Sequence, residues 1–259
     1  AAFSRMTTPS RINASRTVIR TALEQLDAGA IQAEATAQAQ AGAHYIDVNG
    51  GTFPGHEPEL LCWLVDTVQQ VTDKPLCLDS SDPAALAAAL PHVRQPAPML
   101  NSITLEGERF ERMLPLALEF RAKVVALCQG EGVATTAQQK IDTASRLVER
   151  LTTAGVVLDD IYVDPLVFPL ATDSSSGSAA LEAFREITHR FPGVHTICGL
   201  TNVSHGLPAR KLINRTFLLT ATAAGLDAAI LDPTDRELMA TLHAGQAVLG
   251  RDEYCLRFL

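Results

Sequence analysis

Basic residues are in short supply: 21 lysines and arginines stand against 29 aspartates and glutamates, a formal charge of −8 over 259 residues. A nucleic-acid surface needs clustered positive charge to displace counterions from phosphates, so no nucleic-acid partner is expected. Aromatics make up only 5%, too few to line a sugar cleft, which sets aside glycoside hydrolysis by a carboxylate pair. The most apolar stretch, 216–231, is broken by threonines and by Asp227, so no membrane span is expected. The first ten residues, AAFSRMTTPS, lack the apolar core of a secretion signal. A cytoplasmic protein is expected. Residues 1–10 read as an N-terminal extension, and the five residues ahead of Met6 are expected to be an expression remnant.

Cysteine is sparse and unpatterned. Cys62, Cys77, Cys128, Cys198 and Cys255 form no C-x-x-C pair, and the seven histidines show no H-x-x-x-H spacing. Reduced, buried thiols are expected, with no disulfide framework and no metal site. G-x-S-x-G, G-x-G-x-x-G and Walker runs are also missing, which puts acyl transfer and nucleotide binding behind other readings.

What the chain does have is alternation. Short apolar runs at 45–49, 76–79, 99–102, 124–128, 161–164, 196–199 and 228–232 each end in a small or polar residue, as buried parallel strands do. Between them, 57–71, 83–90, 108–120, 138–154, 178–190 and 210–224 carry apolar residues at helical spacing. Ser81-Asp82-Pro83 supplies a helix start, and Gly42, Gly155 and Gly225 stand where helices should stop. With an eighth strand before Asn13, these units make one (β/α)8 TIM barrel over 11–259. A doubly wound open sheet is the alternative.

In a parallel barrel the C-terminal strand ends converge on one face, and here they carry Asp47, Asn49, Asp79, Asn101, Gln129, Asp164, Asn202 and Asp232. Any one of these also serves as a turn or cap residue. Together they suit a flat heterocycle: a carboxylate such as Asp79 or Asp164 accepts two parallel N–H bonds, and Asn101 satisfies a donor and an acceptor at once. A pterin presents such an edge.

The segments IDVNGG (46–51), LCLDSS (76–81), MLNS (99–102), YVDPLVFP (162–169), GLTNVSHG (199–206), LINRTFL (212–218) and GLDAAILDP (225–233) resemble the pterin-binding methyltransferases. That family includes methyltetrahydrofolate:corrinoid protein methyltransferases and the folate domain of cobalamin-dependent methionine synthase. The resemblance runs from Arg11 through almost the whole chain. It implies a homodimeric TIM barrel whose acidic pocket, matched by Asp79, Asn101 and Asp164, binds the pterin of tetrahydrofolate or methyltetrahydrofolate as substrate. It also implies that Asn202 lies near the pterin N5 as the catalytic residue, strengthening hydrogen bonding there as charge changes. The methyl group would pass to or from the cobalt of a corrinoid (cobalamin).

No D-x-H-x-x-G run marks a corrinoid module, so that cofactor is expected on a partner protein, with a lean toward a demethylating pathway. Asn49, Gln129, His205 and Arg210 are secondary candidates. Relatives often have glutamine where His205 stands, and Arg210 with Lys211 would meet the folate glutamate tail or the corrinoid partner. Pro9-Ser10 replaces the family's glutamate before its RIN segment, and the loop QGEGVATT (129–136) departs from the usual turn. Two alternatives stay open: an enzyme like dihydropteroate synthase, whose usual S-R-K loop is missing here, and a silent pterin-binding subunit of a corrinoid complex.

Overall fold

The computed structural model describes residues 6–8, 11–14, 16–51, 53, 55–130, 132–256 and 258. Pro9, Ser10 and Glu131, which belong to the two divergent segments, and residues 1–5 lie outside the described residues.

Parallel strands occupy the expected runs: β3 (Ile46–Asn49), β4 (Leu76–Asp79), β5 (Met99–Ile103), β6 (Lys123–Leu127), β7 (Ile161–Asp164), β8 (His195–Thr196) and β9 (Ala228–Ile230). Each pairs with its sequence neighbour from β3 to β8, as crossover connections through helices require. The first barrel strand is split. β1 (Met6–Thr8) pairs with β9, while β2 (Ile12–Asn13) pairs with β3, and a bridge from Gly199 to Ile230 joins β8 to β9. The ring therefore closes as an eight-position barrel. Met6–Thr8 falls within the stretch expected to be an extension, so the barrel begins earlier than Arg11: its parallel hydrogen bonds to Ala228–Ile230 supply the closing edge.

The helices are α1 (Thr17–Glu24), α2 (Ala28–Gln40), α3 (Glu57–Val68), α4 (Pro83–Ala89), α5 (Arg109–Glu119), α6 (Ala137–Thr153), α7 (Ser176–Arg190), α8 (Arg210–Ala224) and α9 (Arg236–Val248). Ser81-Asp82-Pro83 starts α4 as expected, with the Asp82 side chain accepting from the Ala84 N–H. Thr136 and Gln139 form a reciprocal capping box at α6. Gly155 and Gly225, at φ of +101° and +120°, end α6 and α8 in a backbone that suits only glycine well.

Alternate strand residues face opposite ways. Ile46, Val48, Leu76, Leu78, Val124, Ala126, Ile161 and Val163 pack outward against the helices. Tyr45, Cys77, Met99, Val125, Tyr162, Ile197 and Ala228 fill the barrel axis. Above this plug the strand ends carry polar groups at the C-terminal rim. Among the described residues, no helix is long and apolar enough to cross a membrane.

Candidate active site

Asp79 ends β4 and stands in register with Asn101 of β5, so the β4–β5 ladder places their side chains side by side. At the same place β5 shifts register between Asn101 and Ile103, and the Asn101–Ser102 peptide is cis. These two residues open on a cavity of about 490 Å³, lined also by Ser80, Ser102, Gln129 and Arg109. Gln129 donates its amide to Glu106 at 2.8 Å on the outer wall. Asn49, at the end of β3, joins from the other side: its Oδ1 accepts the Gly51 N–H at 3.0 Å and its side chain hydrogen-bonds Asp79.

Burial raises the Asp79 pKa above the usual carboxylate range, while the Asn49 bond and the Arg109 charge pull it back and Glu57 pushes it further up. Arg109 turns its guanidinium to backbone carbonyls. Its Nε donates to the Ser102 carbonyl at 2.9 Å and its Nη2 to the Ser80 carbonyl at 2.8 Å, with Nη1 on the Ser81 carbonyl. One guanidinium thus ties the loop after β4 to the loop after β5 and lends Asp79 a positive neighbour. Sequence reasoning passed over Arg109. The signal was its place in the first turn of the helix that follows a rim strand.

Asp164, at the end of β7, is 7% exposed. Its Oδ1 accepts the Leu166 N–H at 2.8 Å. Burial pushes its pKa up to about 7, against the Leu166 and Gly199 N–H groups and the charge of Lys140. Gly199 links it to Asn202, because a Cβ on Gly199 would come within 3.0 Å of the Asn202 amide nitrogen. Asn202 sits inside a 3-10 turn, Leu200–Ser204, rather than capping α8, whose N-cap is Ala209. Its side chain is exposed and makes no hydrogen bond with a described residue.

The rim therefore holds two groups: Asn49, Asp79, Asn101 and Gln129 around the cavity, and Asp164 with Asn202 across β7 and β8. His205 is exposed at the end of the 3-10 turn. Arg210 braces that turn, donating to the Thr201 carbonyl and to Ser204 Oγ, both at 3.1 Å.

Two carboxylates read as rim residues have other places. Asp47 is fully buried one rung below the rim, beside Cys77 in register, and neither of its oxygens meets a nitrogen or oxygen donor. Burial, with Asp79 nearby, raises its pKa well above the usual range, which favours the neutral acid under the site. Asp232 is engaged by Arg11 at 2.8 Å and by Thr234. Among the described residues no group of three histidine, cysteine or acidic side chains is placed to hold a metal ion.

The family model of pterin binding enzymes matches residues 10–232. The chain belongs to the pterin-binding enzymes. It is 37% identical over 254 residues to the methylcorrinoid:tetrahydrofolate methyltransferase of Eubacterium limosum, covering 96% of this chain and 92% of that protein. It is 39% identical over 170 residues to methionine synthase of Mycobacterium tuberculosis, covering 61% of this chain but 14% of that much longer protein. Among solved structures, dihydropteroate synthase of Xanthomonas albilineans with 4-aminobenzoic acid superposes with a TM-score of 0.73 at 19% identity, covering 95% of this chain and 94% of that one. The Yersinia pestis dihydropteroate synthase gives 0.70 at 18%, covering 96% and 94%. At such identities the structural likeness speaks for the barrel alone.

Proposed function

We propose that this pterin-binding enzyme is a methyltransferase moving a methyl group between the cobalt of a corrinoid, carried by a separate protein, and N5 of tetrahydrofolate. The observation that carries this reading is the paired Asp79 and Asn101 at the mouth of a polar cavity, with a second carboxylate, Asp164, across the rim. Two acceptor carboxylates and an amide between them match the donor-rich pyrimidine edge and adjacent carbonyl of a pterin. The extended likeness to a methylcorrinoid:tetrahydrofolate methyltransferase supports the reading, and that relative's name favours transfer toward tetrahydrofolate.

In this reading Asp79, Asn101 and Asp164 bind and orient the pterin, and Asn49 and Gln129 hold the cavity wall in place. The corrinoid supplies the cobalt that carries the methyl group before transfer. N5 sheds a proton as it takes the methyl group and regains a proton or hydrogen bond in the reverse direction. Asn202, with an uncommitted amide, answers that change of charge by donating or accepting at N5 without titrating itself. Its exposure supports a reacting edge that is open to a partner, as transfer from another protein requires. Arg210 acts through Thr201 and Ser204 by fixing the Asn202 turn. The homodimer is part of the same proposal and is read from sedimentation equilibrium.

The test is a spectrophotometric assay with methyltetrahydrofolate and reduced cob(I)alamin, which runs the transfer in its reverse sense by following loss of the Co(I) band. The wild type is expected to turn over and Asn202→Ala to lose activity while still binding folate. Binding without turnover, even with a corrinoid protein present, would point to a silent pterin-binding subunit. No folate binding would overturn the reading.

A further inference from the structure

Lys140 is fully buried, at 0% exposure, and serves neither as a ligand nor as an acid in the site described. It projects from α6 under the loop that follows β7. Its ammonium donates to the carbonyls of Ala134 at 2.9 Å, Pro165 at 2.8 Å and Leu166 at 2.8 Å, with the Phe168 ring centroid 4.8 Å away. All three protons are thereby satisfied by backbone, and none is spent on a carboxylate.

Two of those carbonyls belong to the residues directly after Asp164. Leu166 is left-handed, at φ +59°, a backbone that costs a non-glycine residue about 1 kcal/mol. That turn is what brings the Leu166 N–H onto Asp164 Oδ1. Ammonium, left-handed turn and carboxylate therefore form one connected unit. A neutral donor would hold the turn at far lower desolvation cost than a buried cation. The charge needs a further reason, and the acid beside it provides one.

We propose that Lys140 is the positioning residue for pterin recognition: it holds the left-handed turn that fixes Asp164 at the rim, and its charge favours the ionised form of Asp164 that accepts two hydrogen bonds. This rests on the pterin reading of the site. The ionisable groups facing the pair are few. Asp164 meets the thiols of Cys128 and Cys198 as well as Lys140, and Lys140 meets Cys128 and Asp173. Burial lowers the Lys140 pKa, and Cys128, Asp164 and Asp173 raise it back. Burial, opposed by Lys140 and by the Leu166 and Gly199 N–H groups, leaves Asp164 at about 7, so removing the cation is expected to raise it further and favour the protonated acid, with one acceptor turned into a donor that clashes with the pterin N–H edge.

The experiment measures methyltetrahydrofolate affinity by calorimetry from pH 5.5 to 8.5, together with a carbon-13 NMR titration of the aspartate carboxyls. The proteins are wild type, Lys140→Met, Lys140→Gln and Lys140→Arg. The Met and Gln variants are expected to titrate Asp164 at least one unit higher, with affinity at pH 7 about fivefold weaker for a rise of one unit. Lys140→Arg is expected to move the midpoint back toward wild type. Gln, which keeps a donor for the turn, serves if Met does not fold. A folded neutral variant with the wild-type midpoint would overturn the proposal, because a purely structural tie would not move it. Failure of every protein to bind methyltetrahydrofolate would instead sink the pterin reading, and the NMR shift would still decide whether Lys140 governs Asp164.

Discussion

Asn202 carries an amide with no hydrogen-bond partner among the described residues, on an exposed turn, so its removal is expected to spare the fold. Asn202→Ala should change stability by less than about 0.5 kcal/mol and lower kcat about 100-fold, the scale of losing one donor at a developing charge. Melting curves beside steady-state kinetics check both. Asp79→Asn separates differently. It keeps the shape and one acceptor but loses an acceptor pair, and methyltetrahydrofolate affinity should fall at least about 10-fold by calorimetry. Stability should hold or rise, since burial disfavours the Asp79 charge. The rim position of Asp79 was legible because a polar residue ending an apolar run stands out, whereas Asn202, on a turn beyond its run, was singled out only by the resemblance of GLTNVSHG to the family. Lys140 was not: a single lysine in an amphipathic helix reads as solvated, and only the loops of β6 and β7 folding over it reveal its burial. Asp47 misled in the other direction, because two residues along a strand separate the rim from the barrel interior and composition does not register that depth.

At the scale of elements, the rim depends on loops held from behind. Arg109 joins the loops after β4 and β5 through three carbonyls, so Arg109→Met leaves those acceptors unpaired and removes the cation beside Asp79. The expected cost is about 2 kcal/mol in urea unfolding, with weaker methyltetrahydrofolate binding that rises in KM more than it falls in kcat. A fully wild-type KM would show that the loops hold without it. Strand and helix positions were largely readable here. α8 has the bounds that the apolar spacing gives, 210–224, and β4 and β7 end on Asp79 and Asp164 as expected. β8 is the exception: it covers His195–Thr196 instead of 196–199, because the chain turns at Gly199 into the 3-10 segment that presents Asn202. The split first strand was invisible to hydropathy, since each half pairs on one side only and neither needs a long apolar run.

For the whole molecule, both ends of the barrel titrate in the same sense. At the rim, Asp164 has an ordinary value near 3.8 in the unfolded chain and about 7 when folded, and Asp47 and Asp79 are shifted upward too. Between those values the native state holds protons that the unfolded chain has released, so stability falls as pH rises through that window, by about 1.4 kcal/mol per fully shifted unit. At the opposite end, His195 lies between Asp227 at 2.7 Å and Asp159 at 3.2 Å and stacks on Tyr162. Burial lowers its pKa, but the two carboxylates outweigh that and raise it above 6.5. Its contribution is fully present below 6.5 and is lost as pH rises through the folded value. The exposed acids with lowered values, Glu111 and Asp173, act in the opposite sense only near pH 4 and below. The urea midpoint is therefore expected to decline steadily from pH 5 to pH 8, rather than peak near neutrality. Asp164→Asn should flatten the part below pH 7, and His195→Gln the part above it at some cost in overall stability. A wild-type midpoint that is level across this range would mean that neither end of the barrel binds protons on folding. Tetrahydrofolate, if it selects the ionised Asp164, should shift the lower half of the profile by favouring the deprotonated native state, so that ligand stabilisation grows from pH 5 to pH 7 and is lost in Asp164→Asn.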